Sequence, residues 1–185
     1  GSGRELEKWI FAGGVAVDGD TCKRGDRAVP EDRSLVDGRR VRVVTDDSAR
    51  VLMYSKPEGE VCTTVDHDGR PTVFDRLPRE LPRVISVGRL DINSEGLLLL
   101  TNDGDLARKM ELPDTGWKRQ YRVRVHGNVR QHELDSLKKG ITVDGIHYAP
   151  IEAKLEKQDA ANAWIAIDLL EGKNREIRKV MDHLG

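Results

Sequence analysis

Cysteine is scarce in this sequence, with two residues in 185. Cys22 and Cys62 lie far apart and outside any C-x-x-C pair, so their spacing supports neither a disulfide framework nor a zinc site. The five histidines also lack the spacing that is typical of metal ligands. We therefore predict two reduced thiols and no bound metal.

Long apolar runs are absent as well. Hydrophobic residues make up 37% of the sequence and charged residues 34%, and no apolar run approaches the roughly 18 residues that a membrane span needs. The beginning of the chain lacks the pattern of a signal peptide. These absences argue against a membrane-spanning or secreted protein, and we expect a cytosolic, globular monomer of one or two domains.

A basic excess is missing too, since the formal net charge is -1. Proteins that bind nucleic acid usually carry such an excess, because phosphates attract lysine and arginine. The segment from Trp117 to Arg130 nevertheless contains five basic residues and no acidic one. A basic surface on one side of the protein is therefore compatible with the low net charge.

The first part of the chain predicts a small module with a helix and short strands. Gly1–Gly3 has the composition of a cloning remnant and is left out of the fold argument. Apolar residues recur at helical spacing over Arg4–Ala12, and short strands follow at Val15–Val17 and Arg40–Val44, next to Asp-Gly turns. The polar stretch 45–50 predicts a linker. We therefore place the first domain at residues 1–47 and the second at 48–185.

The second domain predicts a mixture of strands and helices. Apolar or alternating runs predict its strands, and periodic segments bounded by capping residues or proline predict its helices. The predicted strands are Val51–Tyr54, Val61–Val65, Val84–Val87, Gln120–His126 and Trp164–Leu170. The predicted helices are Thr72–Leu77, Leu106–Leu112 and Glu176–Leu184.

One carboxylate stands out in the run Gly88-Arg89-Leu90-Asp91-Ile92-Asn93-Ser94-Glu95-Gly96. Asp91 follows a strand-like run and precedes the apolar block Leu97–Leu100. A rigid strand next to a turn is a usual setting for a reacting side chain. The residues alone also allow a simpler interpretation, in which Asp91 only caps a turn.

Two later motifs could complete a site with Asp91. In Lys118-Arg119-Gln120-Tyr121-Arg122-Val123, Tyr121 shares a strand face with Val123, and it could equally be a half-buried core residue. The other motif is Glu171 to Val180. Its Gly-Lys pair does not form a phosphate loop, because a Walker motif would need glycine at Ile167 and serine or threonine at Asn174. Its basic residues could also simply form a solvated helix face.

These three motifs resemble those of the RsuA/RluB-type pseudouridine synthases. The block from Lys56 to Asp75 is similar to the branch that acts on large-subunit ribosomal RNA, and Leu6–Gly19 resembles the second half of an S4 RNA-binding domain. The resemblance implies an α+β protein, in which a partial S4-like module precedes a catalytic domain with a mixed, mostly antiparallel sheet. Members of this family have a further helix before the first one here and a further strand after the last, so both ends look trimmed.

The resemblance also implies roles for individual residues. Asp91 would be the nucleophile or covalent participant, Tyr121 would stack on the base and take part in removing its C5 proton, and Arg178 would pair with Asp91. A carboxylate in a dry pocket needs such a cation to stay ionised, although Lys179 could make that contact instead. Ile177 would form an apolar wall, and Arg89 would hold the flipped nucleotide. Candidates for contacts with the RNA backbone are Arg70, Arg76, Lys118, Arg119 and Arg122.

The implied reaction isomerises one uridine to pseudouridine, and it needs no cofactor. The expected partner is ribosomal RNA, that of the large subunit, or a ribosomal precursor particle. Two other hypotheses stay open on the sequence. The chain could be an RNA-binding or ribosome-assembly factor that has kept the scaffold without catalysis, or an enzyme that acts on free nucleotides.

Overall fold

The computed structural model describes residues 3–26, 28–29, 31–41 and 48–185. The chain divides into two compact units, Gly1–Ala49 and Arg50–Gly185. The predicted cloning remnant lies outside the described residues except for Gly3, and so do strand positions 42–44 and linker positions 45–47. The boundary between residues 47 and 48 therefore stays a prediction.

The described residues of unit 1 form one helix and a four-stranded antiparallel sheet. Helix α1 spans Gly3–Phe11. Gly13, two residues after its end, has a φ of 72°, the left-handed conformation that often follows the end of a helix. The strands are β1 (Val15–Val17), β2 (Asp20–Thr21), β3 (Ser34–Val36) and β4 (Arg39–Val41), in the order β2-β1-β3-β4.

Both predicted Asp-Gly turns are present in unit 1. Asp18-Gly19 joins β1 to β2, and Asp37-Gly38 joins β3 to β4, with positive φ at all four residues. Two-residue hairpin turns of this kind favour Asn or Asp followed by Gly. The predicted helix and the strand at residues 15–17 are confirmed as well, while the resemblance to an S4 domain stays a prediction.

The first sheet of unit 2 has three antiparallel strands. They are β5 (Val51–Lys56), β6 (Ile85–Val87) and β7 (Gly96–Thr101), in the order β5-β7-β6. Helix α2 follows at Gly104–Glu111, and the Asp103 side chain caps it by accepting from two backbone N–H groups. A small apolar core lies against this sheet and contains Val73, Val84, Leu98 and Leu100.

The second sheet of unit 2 consists of β8 (Arg119–His126), β11 (Glu152–Gln158) and β12 (Asn162–Leu169), in the order β11-β12-β8. Between β8 and β11 in the sequence come the short helix α3 (Gln131–Asp135) and a hairpin of β9 (Ile141–Val143) and β10 (Ile146–Tyr148). The last helix is α4, Glu176–Leu184. Its Val180 is buried in the larger core of the unit, together with Ile165 and Ile167.

Two predicted elements of unit 2 are wrong. Residues 61–65 form no strand, and Val61 makes only an isolated parallel bridge with Thr72. Their β-branched side chains favour a strand, but a strand also needs a neighbouring strand that accepts and donates its backbone hydrogen bonds. Residues 72–77 form turns and no helix, because their backbone bonds join residues three apart: Asp75 N donates to Thr72 O at 3.2 Å and Leu77 N to Phe74 O at 3.3 Å. Every ladder between the described strands is antiparallel, so the expected mixed character is limited to that one bridge.

None of the helices formed by the described residues combines the length and the apolar character that crossing a bilayer requires.

Candidate active site

The loop before β7 and the first turn of α4 bring two charged side chains together. Asp91 Oδ2 lies 3.8 Å from Arg178 Nε. The contact is made by Arg178 and thus not by its neighbour Lys179, which the sequence left as an alternative. The expected dry pocket is absent, because the side chains of Asp91 and Arg178 are 40% and 42% exposed. This ion pair is therefore open to solvent, and to a ligand.

A buried lysine holds the loop that carries Asp91. Lys56 is 1% exposed, and its ammonium donates to three backbone carbonyls, those of Pro57 at 3.0 Å, Asp91 at 3.0 Å and Ser94 at 2.8 Å. All three of its N–H groups are thus satisfied. Gly59 N adds a further bond, to Ile92 O at 2.8 Å. The turn after β5 therefore fixes the backbone around Asp91.

Lys56 was not among the residues predicted for the site, although the pattern of β5 indicates that its side chain is buried. Burial alternates along β5, so that Leu52, Tyr54 and Lys56 share the inward face while Val51 and Met53 are exposed. A period of two places every second side chain on the same face of a strand. A lysine at an inward position of such a strand indicates a buried cation with a fixed partner.

Tyr121 lies on the inward face of β8, as the alternation predicts. Arg119, Tyr121, Val123 and Val125 are half-buried, and the residues between them are exposed. Burial raises the pKa of Tyr121 above 10.0; the positive charge of Arg119 lowers it, and the negative charges of Glu176 and Asp91 raise it. Tyr121 is therefore a neutral phenol within electrostatic reach of the Asp91 carboxylate.

The turn that begins α4 contains a buried carboxyl group. Glu176 is 3% exposed, and its Oε2 accepts from Lys173 N at 2.8 Å. Its Oε1 has no hydrogen-bond partner in the described part of the chain, and burial raises the pKa of this carboxyl above 4.5. The next residue, Ile177, is half-buried and packs against the core. Sequence reasoning missed Glu176, because acidic residues near a helix start are usually solvated.

The predicted RNA contacts near β8 lie in different places. Arg119 shares the face of Tyr121, and its Nη1 donates to Leu170 O at 3.5 Å. Arg122 lies on the opposite face, where it pairs with Glu156 at 2.7 Å and stacks on the ring of Trp164. Lys118 contacts Glu152 and Asp168 at 3.3 and 3.0 Å. The structure therefore groups Arg119, but neither Lys118 nor Arg122, with Tyr121.

The remaining arginines of the predicted set also differ in their surroundings. Arg89 is exposed in the loop that carries Asp91. Arg70 pairs with Asp66 at 2.6 Å and with Asp68 at 2.8 Å.

Arg76 serves a buried network in the same unit. Its Nε lies 2.8 Å from Oε1 of Glu60, which is 1% exposed and whose Oε2 accepts from the hydroxyl of Tyr54 at 2.7 Å. Burial, and then this bond to Glu60, raises the pKa of Tyr54 to about 12. Acidic groups thus already neutralise Arg70 and Arg76, whereas Arg89 is better placed for a ligand at Asp91.

No group of three or more His, Cys, Asp or Glu side chains in the described ranges is arranged to hold a metal ion. The candidate site brings together the Asp91 carboxylate and the Arg178 guanidinium, with the Tyr121 phenol within electrostatic reach of Asp91.

Comparisons with known proteins agree with these motifs. A sequence profile described as RNA pseudouridylate synthase matches residues 50–183. Ribosomal large subunit pseudouridine synthase B of Escherichia coli (strain K12) is 44% identical over 190 residues, which cover 100% of this chain and 65% of that protein. An uncharacterised RNA pseudouridine synthase of Rickettsia conorii is 46% identical over 185 residues, covering 100% of this chain and 79% of that protein.

A solved structure is similar as well. The crystal structure of a pseudouridylate synthase matches this chain with a TM-score of 0.65 and 25% identity, covering 98% of this chain and 77% of that one. The chain spans 65 to 66% of the length of the Escherichia coli and Shigella flexneri large-subunit relatives that it matches.

Proposed function

The chain belongs to the RNA pseudouridylate synthase family, of the RsuA/RluB type, and from this we propose that it isomerises one uridine of large-subunit ribosomal RNA to pseudouridine. The observation that carries the proposal is the contact of Asp91 with Arg178 beside Tyr121. The names of the relatives support ribosomal RNA as the substrate. RNA, free or within a ribosomal precursor particle, is the partner that we propose.

The reaction exchanges one glycosidic bond for another within a single nucleotide. The N1–C1′ bond breaks, the base turns within the site, and a C5–C1′ bond forms. The proton of C5 leaves and N1 gains one, so atoms and electrons balance without an oxidant or a reductant. The protein therefore has to bind the nucleotide, stabilise the detached base and move a proton.

Asp91 is the proposed nucleophile or covalent participant. The guanidinium of Arg178 gives this carboxylate a positively charged partner, with Nε 3.8 Å from Oδ2. Since both side chains are about two-fifths exposed in the free protein, a nucleotide that covers them would strengthen their attraction by excluding water. We therefore expect the pair to act most strongly once RNA is bound.

Tyr121 and Ile177 are the proposed walls of the base site. The target base has to leave its stack at a cost of about a few kcal/mol, and stacking on an aromatic ring recovers about 1–3 kcal/mol of it. Because burial raises the pKa of Tyr121, the ring meets the base as a neutral phenol. A neutral phenol can take part in removing the C5 proton only as a relay, in which its oxygen accepts that proton while its own O–H proton passes to water. Arg89 and Arg119 are the proposed contacts to the nucleotide.

The test uses unmodified ribosomal RNA labelled with tritium at C5 of uridine. Transcripts of the large-subunit and the small-subunit RNA are incubated with the protein, and tritium released into water is counted. We expect release from the large-subunit RNA alone, at one position that chemical mapping can locate. Release from the small-subunit RNA alone would contradict the proposed substrate, and RNA binding without any release would favour the RNA-binding factor.

A further inference from the structure

Arg175 has an unusual backbone conformation. Among the described residues, four that are not glycine have a positive φ, and three of these are aspartates that precede glycine in hairpin turns. Arg175 is the fourth, with φ 51° and ψ 33°, directly before α4. A left-handed conformation costs a residue with a Cβ about 1–2 kcal/mol. Such strain is found preferentially at functional sites.

The surrounding turn imposes this conformation. Glu176 Oε2 accepts from Lys173 N at 2.8 Å, and Glu176 N donates to Lys173 O at 3.3 Å, so the two residues that flank Asn174 and Arg175 are joined twice. The Lys173 ammonium donates in turn to Glu171 at 2.6 Å and to His147 O at 2.8 Å. The base of the turn is therefore fixed to the body of unit 2, and its tip is held in one shape.

The side chain at this tip is a cation without an internal partner. Arg175 is exposed, and its backbone carbonyl accepts from Lys179 N at 3.0 Å. No ion pair, hydrogen bond or ring contact joins its side chain to any residue that the structure describes. It differs in this from Arg70, Arg76 and Arg122, each of which contacts a carboxylate. Arg175 also precedes Arg178 by three residues, on the turn that begins the same helix, and three residues span at most about 10 Å of backbone. Its exposed guanidinium therefore lies in the neighbourhood of the contact between Arg178 and Asp91.

We propose that Arg175 binds a phosphate of the RNA strand next to the target nucleotide. A guanidinium recognises phosphate oxygens through two parallel N–H bonds, and a backbone fixed in advance lowers the entropy lost on binding. The proposal rests on the proposed function only in taking RNA as the ligand. It adds a substrate contact to the site and gives a reason for the strained turn, which holds a positive charge at the start of the helix that carries Arg178.

The test is Arg175→Gly, because glycine adopts a positive φ without cost. The variant removes the guanidinium and keeps the turn, so its melting temperature should equal or exceed that of the wild type. Its affinity for large-subunit RNA should fall about tenfold, as expected for one charge-assisted contact. The slope of the log binding constant against the log salt concentration, which is negative, should become less negative by about one. Arg124→Gln is the matched control, since it removes one exposed charge from the outward face of β8, and it should leave the slope unchanged.

Three results would overturn this proposal. One is an affinity and a salt slope equal to those of Arg124→Gln. Another is unchanged affinity with slower turnover, which would mean that the turn only positions Arg178. The third is a melting temperature below that of the wild type, which would show that the turn needs the arginine side chain for folding. Because the assay measures binding, an RNA affinity that depends on Arg175 would support this contact even if no tritium is released and the proposed function fails.

Discussion

Asp91 and Arg178 come from segments of unit 2 that are far apart in the sequence, and their side chains meet with Oδ2 and Nε 3.8 Å apart. The length and exposure of this contact indicate that it adds little to the stability of the free protein, because solvent screens exposed ion pairs. Its importance should therefore appear in turnover and hardly at all in the melting temperature.

Arg178→Gln removes the guanidinium from this pair. We expect the single-turnover rate on RNA to fall about 100-fold or more, the usual effect of losing one preorganised charge partner, with the melting temperature nearly unchanged. Lys179→Gln is the matched control, and it should turn over at close to the wild-type rate. Equal losses in both variants would mean that the two cations act interchangeably, contrary to the geometry.

Tyr121→Phe keeps the aromatic ring and removes the hydroxyl. If the hydroxyl takes part in moving the C5 proton, the single-turnover rate should fall about 100-fold or more, while RNA affinity stays the same because the stacking surface is preserved. The check is to measure the dissociation constant and the rate on the same RNA. A variant with the wild-type rate would limit Tyr121 to stacking.

Lys56→Met removes the ammonium from three part-buried carbonyl groups, of which those of Pro57 and Ser94 lose this donor outright while Asp91 O still accepts from Ser94 N. Each unsatisfied buried acceptor costs about 1–3 kcal/mol, so the free energy of unfolding measured in urea should fall by several kcal/mol. The same substitution at Lys154, an exposed position of β11, should change it by about 0.5 kcal/mol or less. A small loss at Lys56 would show that water can replace the ammonium beneath the Asp91 loop.

The pH dependence of stability should reveal the carboxyl of Glu176. Burial raises its pKa above 4.5, so in the unfolded chain this group loses its proton at a lower pH than in the folded protein. Stability therefore falls as the pH rises from 4.5 through the raised pKa. Glu176→Gln abolishes this titration, so the melting temperature of the variant relative to the wild type should increase over that window and then level off.

Glu171 provides a control of opposite sign. Burial alone would raise its pKa, but the bonds from Lys173 and from Ala149 N outweigh burial and lower the pKa below 4.5. The stability that the Glu171 carboxylate contributes is therefore present above pH 4.5, and it is lost as the pH falls through the lowered pKa of this group. Glu171→Gln should thus be most destabilising near neutral pH and least so in acid. The same pH trend in both variants would contradict these assignments.

Local pattern predicts much of the scaffold and part of the site. Alternation along β8 is enough to place Tyr121 facing inward and Arg122 outward, because a strand has only two faces. The Asp-Gly turns are likewise local. The pairing of Asp91 with Arg178 required the family resemblance, since no spacing in the sequence connects two segments that far apart.

Other features depend on contacts that only the folded chain forms. Lys118 and Arg122 look like free cations in the sequence, yet the register of β8, β12 and β11 places Asp168, Glu152 and Glu156 beside them. Lys56 and Glu176 contradict the rule that charged residues lie outside. Backbone carbonyls satisfy the Lys56 ammonium, and the backbone N–H of Lys173 bonds one oxygen of Glu176.

The most direct test of the account is tritium release by Asp91→Asn, measured beside the wild type and beside Asp105→Asn, an exposed control in α2. Asparagine has nearly the shape of aspartate but cannot attack as a carboxylate. We predict that Asp91→Asn folds and binds large-subunit RNA like the wild type and releases no tritium, while Asp105→Asn remains active. Release at the wild-type rate by Asp91→Asn, or its failure to fold, would contradict a catalytic role for Asp91.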